Sequence, residues 1–356
     1  MTLLISIEEQ REILAMSDVM DALDLLYRAE ARGEAASRAR SDIVCSCGDA
    51  TYGLKSMDGV FPAVGVAAVR IDSDVVGWPE VGGQRRRVKV PAAPGGRWVG
   101  LVLLFSTITG EPLAIFPDGY AQRMRVGATS ALAVREMARR DAAVLGIIGS
   151  GWQAGAQLLG ATRVRRFDSV VAYSPNPSNV ARFAEEMGAE SGLEVQPRSS
   201  VEEVVEVADV VLCATNSLAP VLRGATVRPG QHFGCIRDCE LDDALYRAAD
   251  RVVLHTRALA PEHIRLGGRA APPDGAAEGW GPPSSAVDWP SLPVLAEVIG
   301  GSVDGRSTES EVTCFVNNMG SGAQFAAVGA RLVDLARAHG AGRELPTEWF
   351  TQDVRP

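Results

Sequence analysis

The sequence predicts an α/β chain in two parts: a parallel, doubly wound sheet domain, and a separate strand-rich α+β domain. Three observations lead there. Residues 144–156 read as a buried strand, a glycine turn and the start of a helix. Behind them, apolar strands at 169–173 and 209–215 alternate with helices around 181–187 and 201–207. Ahead of them, between residues 42 and 117, strand patterns follow one another with turn signals such as Pro94-Gly95-Gly96 and no helix between them.

Taken along the chain, residues 6–32 show helical periodicity through Ile13, Leu14, Val19, Met20, Leu23, Leu25 and Leu26. Strands are expected over 51–57, 64–71, 87–90, 98–106 and 113–116, which is the rhythm of an antiparallel or mixed sheet. A helix over 125–140 bridges into the second domain, its small residues Gly127, Ala128, Ser130 and Ala131 allowing close packing. Further strands are expected at 251–254 and 312–316, and a final Ala-rich helix at 323–339. The Pro-, Gly- and Ala-rich stretch 267–290 reads as a surface insertion.

Composition narrows the function classes. At 356 residues, 46% apolar and 22% charged, the chain has the make-up of an ordinary soluble protein with room for two cores. A net charge of −9 gives no basic face for nucleic acid, and Arg85-Arg86-Arg87 is a single short patch. The first ten residues lack the basic region of a secretory signal, and no apolar run approaches the ~20 residues that span a bilayer. The expectation is a cytoplasmic protein with no membrane partner. Cys45-Ser46-Cys47 and Cys235 with Cys239 could suggest a metal, yet Cys213 and Cys314 sit inside apolar strand patterns and the four histidines fall at no ligand spacing, so no metal is expected and the thiols read as small apolar residues.

The glycine turn carries the chemistry. In Gly149-Ser150-Gly151-Trp152-Gln153-Ala154, Gly149 permits the tight turn, Gly151 lets a pyrophosphate approach the backbone, and Ala154 lets the helix pack close to the strand. The helix then aims free N–H groups and its positive end at the phosphates. The cofactor is NAD or NADP. The following loop, Tyr173 to Asn179, holds Ser174, Asn176 and Asn179 but no carboxylate for a ribose 2′-hydroxyl, and Arg182 stands just beyond it. Those groups suit a 2′-phosphate and tilt the reading toward NADP, although plain surface-loop chemistry explains them as well. Thr215, at the end of the third strand, and Thr129 complete the candidate cofactor set.

Three motifs in order, Arg125-Val126-Gly127-Ala128-Thr129-Ser130-Ala131, then the glycine turn, then Glu311-Val312-Thr313-Cys314-Phe315, resemble the ornithine cyclodeaminase and mu-crystallin family. The resemblance implies a Rossmann domain, 128–318, and a substrate and dimerisation domain built from both chain ends, 1–127 with 319–356. It implies a homodimer that exchanges hydride between a nicotinamide and a carbon bearing nitrogen, with an amino acid or imine as substrate. Arg125 matches the family's carboxylate-binding arginine, and Arg40 or Arg38 a second. A planar guanidinium fork suits a carboxylate. Where the family has a catalytic lysine this chain shows Ala67, which leaves Lys55 or Arg70 as the replacement cation. Asp238, with Glu240 next, matches the family's proton-handling acid. Gln324 stands where the family commonly has an acidic residue, and together with the tail 344–350 it marks a divergent subgroup. Three functions follow: an imine reductase or amino acid dehydrogenase first, a redox-neutral cyclodeaminase second, and a non-catalytic mu-crystallin-like binding protein third.

Overall fold

The computed structural model describes residues 1–356 apart from 82–83, 86–87, 218, 224–226, 267–286 and 354–356. Arg86 and Arg87 of the basic patch and most of the expected insertion lie outside the described residues. The first half of the chain runs β1 (Thr2–Leu4), α1 (Ile7–Ile13), α2 (Met16–Ala31), β2 (Ala36–Ser37), β3 (Ser41–Cys47), β4 (Ala50–Phe61) and β5 (Val66–Gly77). It continues through β6 (Glu80–Val81), β7 (Gln84–Arg85), β8 (Val88–Val90), β9 (Val99–Ser106), β10 (Pro112–Pro117) and α3 (Gly119–Met137). The second half holds β11 (Val144–Ile148), α4 (Trp152–Val164), β12 (Ser169–Tyr173), α5 (Pro177–Ser191), β13 (Val195–Pro197), α6 (Val201–Val207), β14 (Val210–Cys213) and β15 (His232–Cys235). Then come α7 (Asp243–Ala248), β16 (Arg251–Leu254), β17 (Glu262–Leu266), α8 (Leu295–Ile299), β18 (Thr313–Val316), α9 (Gly322–His339) and β19 (Arg343–Leu345).

Two sheets result. The second-half sheet runs β13-β12-β11-β14-β15-β18-β16 with every neighbouring pair parallel. Its strands are short apolar runs such as Val210-Val211-Leu212-Cys213, buried throughout because helices cover both faces. Strand order reverses between β11 and β14, the point at which doubly wound folds leave a crevice beyond their strand C-termini. The cysteines inside these strands, Cys213, Cys235 and Cys314, are buried free thiols.

The other sheet is mixed, in the order β17-β3-β4-β5-β9-β10-β1-β19, with β2 on β4 and β8 on β5. Helices α2 and α9 cover its inner face, where Phe61, Ala68, Val102, Leu104 and Phe116 join Leu23, Leu26, Phe325 and Ala326 in one core. Helix α2 turns Met16, Val19, Met20, Leu23, Leu26 and Tyr27 inward, and Asp18 reaches back to the Ala15 N–H at 3.1 Å to cap it. The outer face keeps its apolar side chains exposed: Ile264, Ile43 and Leu54 stand in one register row, with Val99 and Leu101 beyond it.

Several expectations shift. Helix α3 begins at Gly119 rather than Arg125, behind Asp118 at its N-cap position, so Arg125 lies inside a helix instead of at its start. The expected domain boundary at 127–128 therefore falls within this helix. Strand β17 joins the first sheet although it lies inside the range expected for the second domain. The two central strands β4 and β5 are twelve residues each, longer than expected, because charged side chains on one face had broken the apolar run. The end of the expected surface insertion is core: Trp289 is buried and meets Tyr246 edge-on at 5.3 Å. No helix among the described residues is long and apolar enough to cross a membrane.

Candidate active site

The crevice is built first by the turn after β11. Gly149 has φ 116°, a left-handed value, and a Cβ there would stand 2.3 Å from the Ala214 carbonyl oxygen. Gly151 differs: its backbone is extended, and a Cβ would meet no protein atom within 4 Å. The space in front of Gly151 is open, and behind it α4 begins with N–H groups that have no intrahelical acceptor. Gln153 adds a buried Oε1 with no hydrogen-bond partner among the described residues. These residues fit a dinucleotide pyrophosphate. The Trp152 ring is exposed, with the Arg123 guanidinium 4.3 Å from its centroid, and Arg123 Nε donates to the Trp152 carbonyl at 3.1 Å.

The neighbouring loops close the rim. Asn176 caps α5, its Oδ1 accepting from the Ser178 and Asn179 N–H groups at 3.0 and 3.3 Å, while Ser174 stands half-buried just before it. Arg182 is exposed and donates to Asn179 Oδ1 at 3.4 Å. Thr215 faces inward: its N–H and hydroxyl both donate to Glu240 Oε1, at 2.6 and 2.8 Å. Glu240 also accepts from the Ile236 and Arg237 N–H groups through Oε2. It is a fully buried clasp between the loops after β14 and β15, which takes it out of the running as the proton-handling acid. Burial pushes its carboxyl pKa up, against the pull of those donors. Asp238, in the same loop, is half-buried; burial raises its pKa too, with the Cys239 and Asp238 N–H groups and Arg237 opposing.

The cations come from the other sheet and from α3. Asp118, Gln122 and Arg125 share one helix face by their i, i+4, i+7 spacing. Arg125 is 3% exposed, and its hydrogen bonds go to amides: Nε and one terminal nitrogen reach Gln122 Oε1 at 3.1 and 2.7 Å, and the other reaches Gln324 Oε1 at 3.0 Å. No carboxylate among the described residues lies within 4.0 Å of it. Burial, Arg70 and Arg40 hold its pKa well below the usual arginine value. Arg70 and Arg125 both approach the Phe325 ring, at 6.0 and 5.5 Å.

The remaining cations are engaged. Arg40 grips Asp42 with two bonds of 2.7 and 2.6 Å. Arg70 holds Asp118 at 2.7 Å through Nε and Asp72 at 3.4 Å. Lys55, expected as a free polarising cation, is buried with its ammonium 2.8 Å from both oxygens of Asp74; Lys89 completes this ladder at 2.8 Å from Asp74 and 3.3 Å from Asp72. Ala67 alternates to the opposite face from Ala68 and Arg70, so the cation that β5 turns inward is Arg70. Thr129 lies in a fully buried cluster rather than on the crevice rim: the Tyr27 hydroxyl meets Thr129 Oγ1 at 2.7 Å and His255 Nε2 at 3.1 Å, and Gln324 Nε2 donates to both hydroxyls. Gln324 thus joins this cluster to Arg125. Asp42, Asp72, Asp118, Gln122, Tyr27 and His255 had given no sequence signal beyond the strand alternation of Arg70, Asp72 and Asp74 and the helical spacing from Asp118 to Arg125.

Comparison with known proteins agrees with this construction. The profile of the ornithine cyclodeaminase/mu-crystallin family matches residues 93–322. The iminosuccinate reductase of Paracoccus denitrificans is 29% identical over 255 residues, covering 68% of this chain and 72% of that protein. The alanine dehydrogenase of Archaeoglobus fulgidus is 26% identical over 358 residues, 97% of this chain and 98% of that one. The structure of Thermococcus litoralis Δ1-pyrroline-2-carboxylate reductase in complex with NADH and L-proline superimposes with a TM-score of 0.79 at 25% identity, covering 97% of this chain and all of that one (100%). A glycine turn at the switch point of a doubly wound sheet, a buried arginine on the helix that packs against α4, and a profile match over most of the length agree: the chain belongs to the ornithine cyclodeaminase/mu-crystallin family.

Proposed function

We propose that this chain is a nicotinamide-dependent oxidoreductase acting on a carbon bonded to nitrogen beside a carboxylate, as an imine reductase or amino acid dehydrogenase. The observation that carries the reading is Arg125: a buried guanidinium whose hydrogen bonds among the described residues all go to amides, on the helix that packs against α4 next to the glycine turn. A buried cation without a counterion is costly, so the arrangement favours an anionic ligand. The relatives that reduce iminosuccinate and Δ1-pyrroline-2-carboxylate, and the one that binds NADH, support the chemistry by analogy.

The turn from Gly149 to Ala154 would hold the cofactor, and Ser174, Asn176 and Asn179 would contact its adenine ribose; the lack of a carboxylate from Tyr173 to Arg182 favours NADP over NAD. When bound, the nicotinamide supplies or accepts the hydride. In the reductive direction the C=N π bond opens, carbon receives hydride and nitrogen receives a proton. Asp238 supplies that proton, because Glu240 and Lys55 are engaged elsewhere. Its raised pKa keeps it protonated to higher pH, so the reductive rate falls as pH rises through that value. Asp238→Asn is expected to lower kcat by roughly 100-fold or more and to remove that limb of the pH profile.

The decisive experiment is spectrophotometric: NADPH and NADH oxidation with cyclic and linear imines of 2-oxo acids. Net oxidation, faster with NADPH, supports the reading. Ammonia release from an amino acid without net oxidation replaces it with a redox-neutral cyclodeaminase, and no turnover at all with a ligand-binding protein.

The reading includes a homodimer, supported by the exposed apolar row on the outer face of the first sheet, Ile264, Ile43, Leu54, Val99 and Leu101. Patches of this kind mark interfaces. Sedimentation equilibrium should give a dimer, and Leu101→Asp should give a folded monomer; a monomeric wild type would remove the dimer from the proposal.

A further inference from the structure

We infer that the site accepts substrates with one carboxylate and discriminates against dicarboxylates, with Asp42 and Asp118 setting the limit. The inference rests on the proposed hydride-exchange reading and gives it a substrate class. A guanidinium has five N–H donors, and Arg125 directs three of them at Gln122 and Gln324; one on each terminal nitrogen has no acceptor among the described residues. Two donors on a planar fork match one carboxylate.

A second carboxylate would find no such partner. Arg40 already meets Asp42 through two bonds, and Asp42 is 2% exposed. Arg70 is closed by Asp118 on α3 and by Asp72 on its own strand. Lys55 and Lys89 share Asp74 and Asp72. Recruiting any of these cations strands a buried aspartate, and every approach brings the incoming anion beside one. Both effects oppose binding. Gly100 shows that the pairing of Asp118 is built into the sheet: a Cβ there would stand 2.1 Å from the Asp118 carboxylate, so the missing side chain on β9 is what makes room for it. The neutral Gln122 and Gln324 do the reverse for Arg125, holding it in place without cancelling its charge.

Matched pairs test the inference. L-Alanine and L-aspartate differ by one carboxylate, as do the imines formed from pyruvate and from oxaloacetate with ammonia. Calorimetry on the full-length, NADPH-loaded protein should show L-alanine or L-proline binding on the order of 100-fold tighter than L-aspartate, and kcat/KM should favour pyruvate over oxaloacetate by a similar ratio. Asp118→Asn and Asp42→Asn each free one guanidinium, and each should move the ratio at least about 10-fold toward the dicarboxylate. Two separate variants guard against one failing to fold. Equal affinity of the wild type for alanine and aspartate, or an unchanged ratio in a variant with a native melting curve, overturns the inference. Binding of neither amino acid overturns it together with the Arg125 anchor. Failure of every imine to consume NADPH, with the binding ratio intact, removes the catalytic reading and leaves the ligand class standing.

Discussion

Arg125→Met is expected to raise KM for a carboxylate substrate by on the order of 100-fold or more, while the Kd for NADPH stays within about twofold. The same variant is expected to melt at a higher temperature than the wild type. Methionine keeps most of the volume and removes a buried charge whose partners are two amides, and replacing buried ionic groups by well-packed apolar ones is often neutral or stabilising by about 1–4 kcal/mol. Opposite signs for stability and function identify a residue kept for its ligand. Steady-state kinetics beside a thermal melt checks both; a variant that loses stability and keeps KM would make Arg125 a structural residue.

Gly151→Ala and Gly149→Ala are expected to fail in different ways. At Gly151 the backbone is extended and a Cβ meets nothing within 4 Å, so alanine leaves the fold intact and shortens only the space in front of the turn. The Kd for NADPH should rise roughly 10- to 100-fold with little change in melting temperature, since lost approach to the pyrophosphate costs affinity alone. At Gly149 alanine must adopt φ 116° with its Cβ 2.3 Å from a carbonyl oxygen. Strain and overlap together should cost about 3 kcal/mol or more of stability. Fluorescence titration with NADPH and thermal denaturation separate the two; equal losses of stability would contradict the open space at Gly151.

The contrast shows what was legible in the sequence. The second sheet was readable because strands covered on both faces are uninterrupted apolar runs, and a glycine turn at a strand end has a fixed meaning. Strand β13 escaped because it is three residues long and ends in proline. The start of α3 escaped because Gly119-Tyr120-Ala121-Gln122-Arg123 lacks an apolar period, and Arg125, expected as the carboxylate-binding arginine, was placed at the helix start for the same reason. The ionic ladder was not legible, since each pairing depends on register or on distant chain: Lys55 meets Asp74 across two strands, and Arg70 meets Asp118 on another element. Spacing could nominate Lys55 as a cation; only the paired strand reveals that two aspartates already hold it.

Helix α3 packs on α4 with almost no separation: a Cβ on Gly127 would fall 2.4 Å from the Ala156 carbonyl oxygen, and one on Gly160 would fall 2.7 Å from that of Gly127. Backbone against backbone leaves no soft side chain to absorb movement. Arg125 and the phosphate turn therefore belong to one mechanical part, and Asp118 at the head of α3 ties Arg70 on β5 to the same helix. A shift of α3 is passed on to α4 and to the turn at its start. A single methyl group at Gly127 would force the two helices apart.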